Sequence, residues 1–227
     1  MSIWLAALLG LVQGLTEFLP VSSSGHLVMF QNFFQEEHTP IAFDLVLHLG
    51  TLLPIVWVYR SELGDLIKQF FSKPFASESR LAWWILLGSV PTAAIGVGFE
   101  DWVNEIFQTP KMVAGAFFVT GTVLFMTQFL SSGDRDEPQM TWKDALLIGA
   151  VQGLAITPGI SRSGSTIAIA MLLGMKRDLA ARYSFLLSIP AIVGGFILKM
   201  DELDLSVVSP AELGSGFVVS AVSGLFA

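Results

Sequence analysis

The sequence predicts an all-α polytopic membrane protein: an inverted-topology repeat in which two re-entrant helical hairpins meet near the bilayer midplane. Three observations predict it. Of 227 residues, 53% are hydrophobic and only 14% charged, with a mean hydropathy of +0.67, too little polar surface for a soluble domain of this length. The cadence VQGLTEFLPVSSSG at 12–25 returns as VQGLAITPGISRSG at 151–164. Between the copies lie three long apolar runs, an odd number of crossings, so the copies face opposite ways in the bilayer.

Each element follows from runs that approach the ~20 apolar residues needed to cross a ~30 Å hydrocarbon core. Residues 3–19 and 27–35 are two apolar arms interrupted by PVSSSGH; 41–59, 81–99 and 111–130 read as full spans. A second broken pair, 145–157 and 166–175, precedes spans at 180–199 and from 213 onward. Segment 60–80 has the mixed pattern of an interfacial helix and turn, or of a solvated loop. One domain covers 1–227, with repeat one at 3–130 and repeat two at 142–227. The last run stops at Ala227 without a polar flank, so repeat two reads as cut short. The N-terminus lacks the basic region and cleavage site of a removable signal peptide.

Charge orients the spans. The net charge is −7, with no basic patch of the kind nucleic acid requires. Arg60, Lys68, Lys73 and Arg80 cluster in one loop and Lys176, Arg177 and Arg182 in another, whereas 31–40, 100–110 and 200–212 are nearly all acid. Basic loops are cytoplasmic by the positive-inside rule, which puts 31–40 outside and 131–143 inside, the latter supported only by Arg135 and Lys143. The absence of cysteine excludes disulfides, thiol catalysis and cysteine-ligated metals. The six Trp read mostly as interfacial anchors.

The repeat carries the chemistry. At an offset of 139 (151 minus 12), Val12, Gln13, Gly14 and Leu15 match Val151, Gln152, Gly153 and Leu154, and Ser22, Ser24 and Gly25 match Ser161, Ser163 and Gly164. A second echo, SVP at 89–91 and SIP at 188–190, sits mid-span in each half. Non-helical backbone at membrane depth survives only where protein or a watered cavity satisfies it, and Gly, Pro and Ser make such turns. Helices starting after PVSSSG and PGISRSG point free N–H groups and positive dipole ends into that cavity. Such a place binds anions, and Arg162 adds a permanently charged fork suited to phosphate oxygens.

Individual residues carry a bland reading beside the functional one. Glu17, between Leu15 and Phe18, is too expensive at membrane depth to be idle. Arg162 is a snorkelling or Glu17-paired residue on the bland reading and an anion-binding one on the other. Of Ser22, Ser23 and Ser24, two are expected to be N-caps. His26 taken alone is a satisfied polar group; three residues after Ser23, on the same helical face, it is equally placed to serve as acid or base. Gln13 lies one turn before Glu17 and steadies that carboxylate or joins a metal shell. Asp44 and His48, one turn apart, are assigned to capping or a span boundary.

QGLTE followed by PVSSSGH, then PGISRSGST after a long interval, resembles the two signature motifs of the bacitracin-resistance type of undecaprenyl-pyrophosphate phosphatases, over essentially the whole chain. The family writes the first motif as Glu or Gln, three residues, then Glu; Gln13 fills the first place, so a second acid is missing. The second motif is met in full from Pro158 to Thr166. The resemblance implies an integral phosphatase of the bacterial inner membrane, its cavity open to the periplasm, that converts the C55 isoprenyl pyrophosphate to the monophosphate carrier of cell-wall synthesis. It implies Ser23, His26, Glu17 and Arg162 as catalytic residues, and Gln13, Ser22, Ser24, Gly159, Ser161, Ser163 and Thr166 as substrate contacts. It further implies a divalent cation, Mg²⁺ or Ca²⁺, at Glu17, which otherwise orients the nucleophile, and membrane lipids or a second copy of the chain as partners. The nucleophile is Ser23, with His26 handling its proton, or His26 itself through a phosphohistidine.

Two other classes fit parts of the pattern. Inverted repeats with broken helices are typical of alternating-access transporters, so a lipid flippase is the rival reading. An intramembrane serine protease fits SSSG beside a histidine but gives no use for Arg162.

Overall fold

The computed structural model describes residues 1–36, 39–130, 133–203 and 205–227. The described residues form eleven α-helices joined by turns and short 3-10 segments, with no strand among them. Helices α1 (Ile3–Glu17) and α2 (Ser23–Phe33) form the first pair; α3 (Ile41–Val58), α4 (Arg60–Ser72), α5 (Arg80–Gly98), α6 (Glu100–Phe107) and α7 (Pro110–Thr127) follow. Helices α8 (Trp142–Leu154) and α9 (Arg162–Leu172) form the second pair, before α10 (Arg177–Lys199) and α11 (Pro210–Gly224). Four helical segments, Ile41–Val58, Ser77–Gly98, Pro110–Thr127 and Arg177–Glu202, are long and apolar enough to cross a membrane. The protein is a multi-pass membrane protein.

The two broken segments expected from sequence are helix–loop–helix pairs, but their second helices begin earlier than PVSSSG and PGISRSG indicate. Ser22, at φ 63°, caps α2 by accepting from the Gly25 N–H, and Ser161 caps α9 by accepting from the Gly164 N–H. A serine side chain at the N-cap satisfies a first-turn donor, and the helix starts at the next residue. Ser23 and Arg162 are therefore first-turn residues, and of the three serines at 22–24 only Ser22 is a cap, not two. Segment 60–80 contains the helix of its two readings, α4. The acidic stretch 100–110 also differs from a plain loop: eight of its residues form α6, with Val103 and Ile106 buried under it.

Packing is set by close helix crossings. Helix α1 lies against α11, and α8 against α5. A Cβ on Gly10 would stand 2.4 Å from the Gly216 carbonyl oxygen, and one on Gly149 would stand 1.9 Å from that of Gly88. Only glycine allows backbones this near, the usual way helices associate where no hydrophobic drive acts between them. Gly10 and Gly149 are again 139 residues apart. Thr92 Oγ1 donates to the Gly149 carbonyl at 2.8 Å, and Ser220 Oγ to the Leu47 carbonyl at 2.9 Å, so polar atoms at these crossings are satisfied within the bundle.

The largest apolar core joins α5, α8, α9 and α10 around the fully buried Tyr183, whose hydroxyl donates to the Trp84 carbonyl at 2.7 Å. A second core, with Leu9, Leu27, Phe43 and Leu47, joins α1, α2 and α3. The loop before α8 explains its ambiguous charge: Arg135 pairs with Asp144 at 2.6 Å, Lys176 with Asp136 at 2.6 Å, and Arg182 with Glu137. Its acids are matched by bases, several of them from the loop and helix that follow α9.

Candidate functional site

The loops of the two helix pairs touch. Gly159, at φ +92° where an L side chain is strained, donates its N–H to Ser22 Oγ at 3.0 Å. A Cβ on Gly25 would stand 2.8 Å from the Gly159 Cα. Helix α7 clasps the second loop from outside: Thr120 Oγ1 donates to the Gly159 carbonyl at 2.7 Å and accepts from the Ser161 N–H at 2.9 Å. All of these groups are buried.

Glu17 ends α1 at this junction and is the hub of the polar groups. Arg162 Nη2 donates to Glu17 Oε1. The other oxygen, Oε2, accepts from Ser23 Oγ at 2.5 Å and from Gln13 Nε2 at 2.9 Å, and lies 3.5 Å from His48 Nε2. The side chain of Glu17 is 4% exposed and that of Arg162 15%. A buried carboxylate with one counter-charge and several donors is the arrangement that makes such a group tolerable away from water. Yet the set is not closed. Arg162 Nη1 and Gln13 Oε1 are buried without a hydrogen-bond partner.

A cavity of about 310 Å³ opens from this cluster. Its inner wall carries Glu17, Ser22, Ser23, Ser24, Ser161, Arg162, Ser163 and His48; beyond them it runs between α5 and α10, with walls mostly apolar, and reaches Glu100, Asn104 and Lys199 at its far end. Lys199 there holds Glu100 at 2.5 Å and Glu202 at 2.6 Å.

The sequence-predicted residues divide into those on the cavity wall and those behind it. Ser22, Ser23, Ser24, Ser161, Ser163, Glu17 and Arg162 line it, while Gln13, fully buried, supports Glu17 and touches Thr51 Oγ1 at 3.5 Å. Thr166 is buried on the face of α9 toward α10, off the cavity wall, bonded to Ser184 and to the Arg162 carbonyl at 2.9 Å. Gly159 shapes the loop. His26 shares a helix face with Ser23 yet makes no hydrogen bond to it; its Nδ1 meets the Ser22 carbonyl at 2.8 Å and its ring lies edge-on to Phe117, 5.2 Å between centroids. The Ser23 hydroxyl is committed to Glu17 instead.

Sequence reasoning missed His48 and Gln152. His48 is anchored by its Nδ1 to the Asp44 carbonyl at 2.7 Å, which aims Nε2 at Glu17. Asp44 itself faces Gln31, whose Nε2 donates to it at 2.7 Å. Gln152, 1% exposed, lines the cavity from α8, donates to Thr92 Oγ1 and the Leu187 carbonyl at 3.3 Å each, and leaves its Oε1 unpartnered. The signal for Gln152 was its match to Gln13. For His48 it was an ionisable group mid-span, which membrane cost alone marks as used.

The sequence pattern of the family described as Bacitracin resistance protein BacA matches residues 6–227. The chain belongs to this family. Among BacA-type relatives, the undecaprenyl-diphosphatase of Desulfatibacillum aliphaticivorans is 42% identical over 99% of this chain and 87% of its own length. That of Carboxydothermus hydrogenoformans is 42% identical over 98% and 84%, and that of Methanobrevibacter smithii 38% identical over 100% and 87%. The resemblance read from QGLTE, PVSSSGH and PGISRSGST thus extends over residues 6–227.

Among the described residues no group of three or more His, Cys, Asp or Glu side chains converges as a cation cage. What the cluster offers a cation is Glu17 and the unpartnered Oε1 of Gln13, hard oxygen donors one helical turn apart. They fit one edge of the oxygen shell that Mg²⁺ or Ca²⁺ prefers, the remainder being suited to phosphate oxygens and water.

Proposed function

We propose that the protein is an undecaprenyl-diphosphate phosphatase of the bacterial inner membrane, which removes the terminal phosphate of the C55 lipid pyrophosphate and returns the monophosphate carrier to peptidoglycan synthesis. Resistance to bacitracin accompanies that recycling. The observation that carries the reading is Arg162: one amino group is tied to Glu17, and the other is buried, unpartnered, and stands beside a serine–carboxylate pair at the end of an apolar cavity. A pyrophosphate oxygen supplies the acceptor that Nη1 lacks, so one arm of the guanidinium fork holds Glu17 and the other the substrate.

The chemistry follows from the hub. Ser23 Oγ attacks the terminal phosphorus, its proton passes to Glu17 Oε2, and the bridging P–O bond breaks to release the prenyl monophosphate. Water then cleaves the phosphoserine, and Ser23 recovers its proton. Arg162 neutralises charge growing on the phosphoryl oxygens, assisted by the first-turn amides of α9 that the Ser161 cap does not take. Gln13 holds Glu17 in place. His26 positions the Ser22 turn rather than relaying the Ser23 proton. A divalent ion held by Glu17 and Gln13 would bind alongside substrate and screen its charge.

The helix pairs are read as re-entrant hairpins of an inverted repeat: Gly10 with Gly216 and Gly149 with Gly88 form two crossings that each join one half to the other, and the loops meet at Gly25 and Gly159. The cavity reaches Glu100 and Lys199, beside the acid-rich stretches 100–110 and 200–212, while the basic loops lie at 60–80 and 175–182. That polarity supports an opening to the periplasm.

The test is phosphate release from C15 or C55 prenyl pyrophosphate by the protein in detergent, with and without chelator, against Arg162→Ala and Glu17→Ala. Release by the native chain that disappears in both variants supports the reading. Binding with no release by the native chain overturns it in favour of a lipid transporter.

A further inference from the structure

Helices α5 and α10 face each other across the cavity with small residues. Helix α10 presents Ala191, Gly194 and Gly195, and α5 presents Ala93 and Gly96. These glycines differ from those at the helix crossings. A Cβ on Gly194 would meet nothing within 4 Å, and one on Gly195 only Leu45 Cδ2, at an ordinary 3.7 Å. Neither has a positive φ. Packing and backbone conformation therefore give no reason for two consecutive glycines inside a membrane-spanning helix, where glycine is the poorest helix former after proline. What the missing side chains leave is room in the cavity.

Independent polar atoms mark the inner end of that room as a ligand site. Gln152 is 1% exposed, lines the same cavity, and its Oε1 is an acceptor without a donor. Arg162 Nη1, at the start of α9, is a donor without an acceptor. A phosphate supplies the acceptor that Arg162 Nη1 lacks, and a protonated phosphate or an ordered water supplies the donor that Gln152 Oε1 lacks. A head group fixed there has its ester oxygen at the start of the passage between α5 and α10, and the chain beyond must pass Gly194 and Gly195.

We propose that Gly194 and Gly195 set the width of the lipid passage and so determine which prenyl chains the enzyme accepts. An isoprenoid carries a methyl branch on every fourth backbone carbon, so its cross-section exceeds that of a straight acyl chain, and a helix surface without Cβ atoms makes space for those branches. Side chains added at 194 or 195 narrow the passage, and Arg162, Glu17 and Ser23 lie more than 4 Å from a Cβ at either position. This inference rests on the phosphatase reading, and the experiment separates the two.

The experiment measures phosphate release by native protein, Gly194→Leu, Gly195→Val and Gly194→Ala on three pyrophosphates: C55, C15, and the five-carbon isopentenyl pyrophosphate, which has the shortest tail of the three. Folding of each variant is checked by thermal unfolding in detergent. Expected is a fall in kcat/KM of at least about tenfold on C55 and C15 for Gly194→Leu and Gly195→Val, the scale on which small volume changes in an apolar pocket discriminate. On the five-carbon substrate the loss stays within about twofold, and Gly194→Ala lies between native and Leu. Equal loss on all three substrates, or none on any, in folded variants overturns the proposal. If Gly194→Leu does not fold, Gly195→Val and the Ala variant decide by the same criterion. Native protein that releases no phosphate from C55 or C15 defeats the phosphatase reading instead.

Discussion

Ser23 and Arg162 occupy the same position of their helices, the first residue after a capping serine, and both end on the carboxylate of Glu17: Ser23 on Oε2 at 2.5 Å, Arg162 on Oε1. They are also equivalents in the repeat, 139 residues apart. One half of the chain thus supplies a hydroxyl and the other a guanidinium at the same turn of structure, and an acid present only in the first half holds them together, Ile156 standing where the second half would place its counterpart.

Removal of Arg162 is expected to lower kcat by about 10²–10³, the scale for losing one preorganised charge stabiliser. Arg162→Lys recovers little, because an ammonium cannot hold Glu17 Oε1 and a phosphate oxygen at once in fork geometry. Steady-state kinetics on C15 pyrophosphate checks this. A Lys variant with near-native kcat would show that a point charge suffices. The double variant Arg162→Ala with Glu17→Gln is expected to lose much less than the product of the single losses, since the two act as a unit.

His26 and Ser23 are separated by the same kind of measurement. With Nδ1 bonded to the Ser22 carbonyl, His26 is a positioning residue for the turn that carries Ser23. Expected is loss of turnover in Ser23→Ala that no substitution at His26 equals, and recovery in His26→Asn of activity lost in His26→Ala, because an amide N–H restores the donor. Robust turnover by Ser23→Ala together with dead Ala and Asn variants at 26 would assign the phosphoryl group to the histidine.

How much of this was legible in the sequence depends on the kind of physics involved. Helix order was readable because bilayer thickness fixes span length, and each span lies within a few residues of its helix. The helix starts at Ser23 and Arg162 were misplaced because a run of serines does not say which one caps; φ 63° at Ser22 decides it, and that backbone angle is imposed by the neighbouring loop. Glu17 and Arg162 were legible from the cost of charge at membrane depth, and Gln13 from its one-turn spacing. His48 was not joined to them because it reaches Glu17 from α3, a contact across 31 residues that no local spacing encodes. Residues Ser89 and Thr92 of α5 and Pro190 of α10 line the cavity, so the SVP and SIP echoes mark its wall.

His48 is therefore expected to matter. His48→Ala removes the group facing Glu17 Oε2 and lowers kcat about tenfold or more, within the range attributed to groups that orient a catalytic side chain. His48→Gln, which keeps a polar amide able to donate to the carboxylate, recovers most of it, while thermal unfolding in detergent stays close to native for both. A folded Ala variant with native kinetics would return His48 to the role of a span-boundary residue.

Thr120 tests how far the site depends on a residue that never reaches the cavity. Its hydroxyl donates to the Gly159 carbonyl and accepts from the Ser161 N–H, so Thr120→Val leaves a buried acceptor and a buried donor unpaired while keeping the shape of the side chain. Each unpaired buried group costs about 1–3 kcal/mol. Two results are expected together: a lower unfolding midpoint in detergent, and a reduced kcat from a looser second loop, since Ser161 caps the helix that begins with Arg162. Thr120→Ser, which retains both hydrogen bonds, is expected near native in both measurements. The decisive comparison is Val against Ser under substrate saturation. If Val lowers stability but leaves kcat untouched, the loop holds Arg162 in register without α7, and the clasp belongs to folding alone.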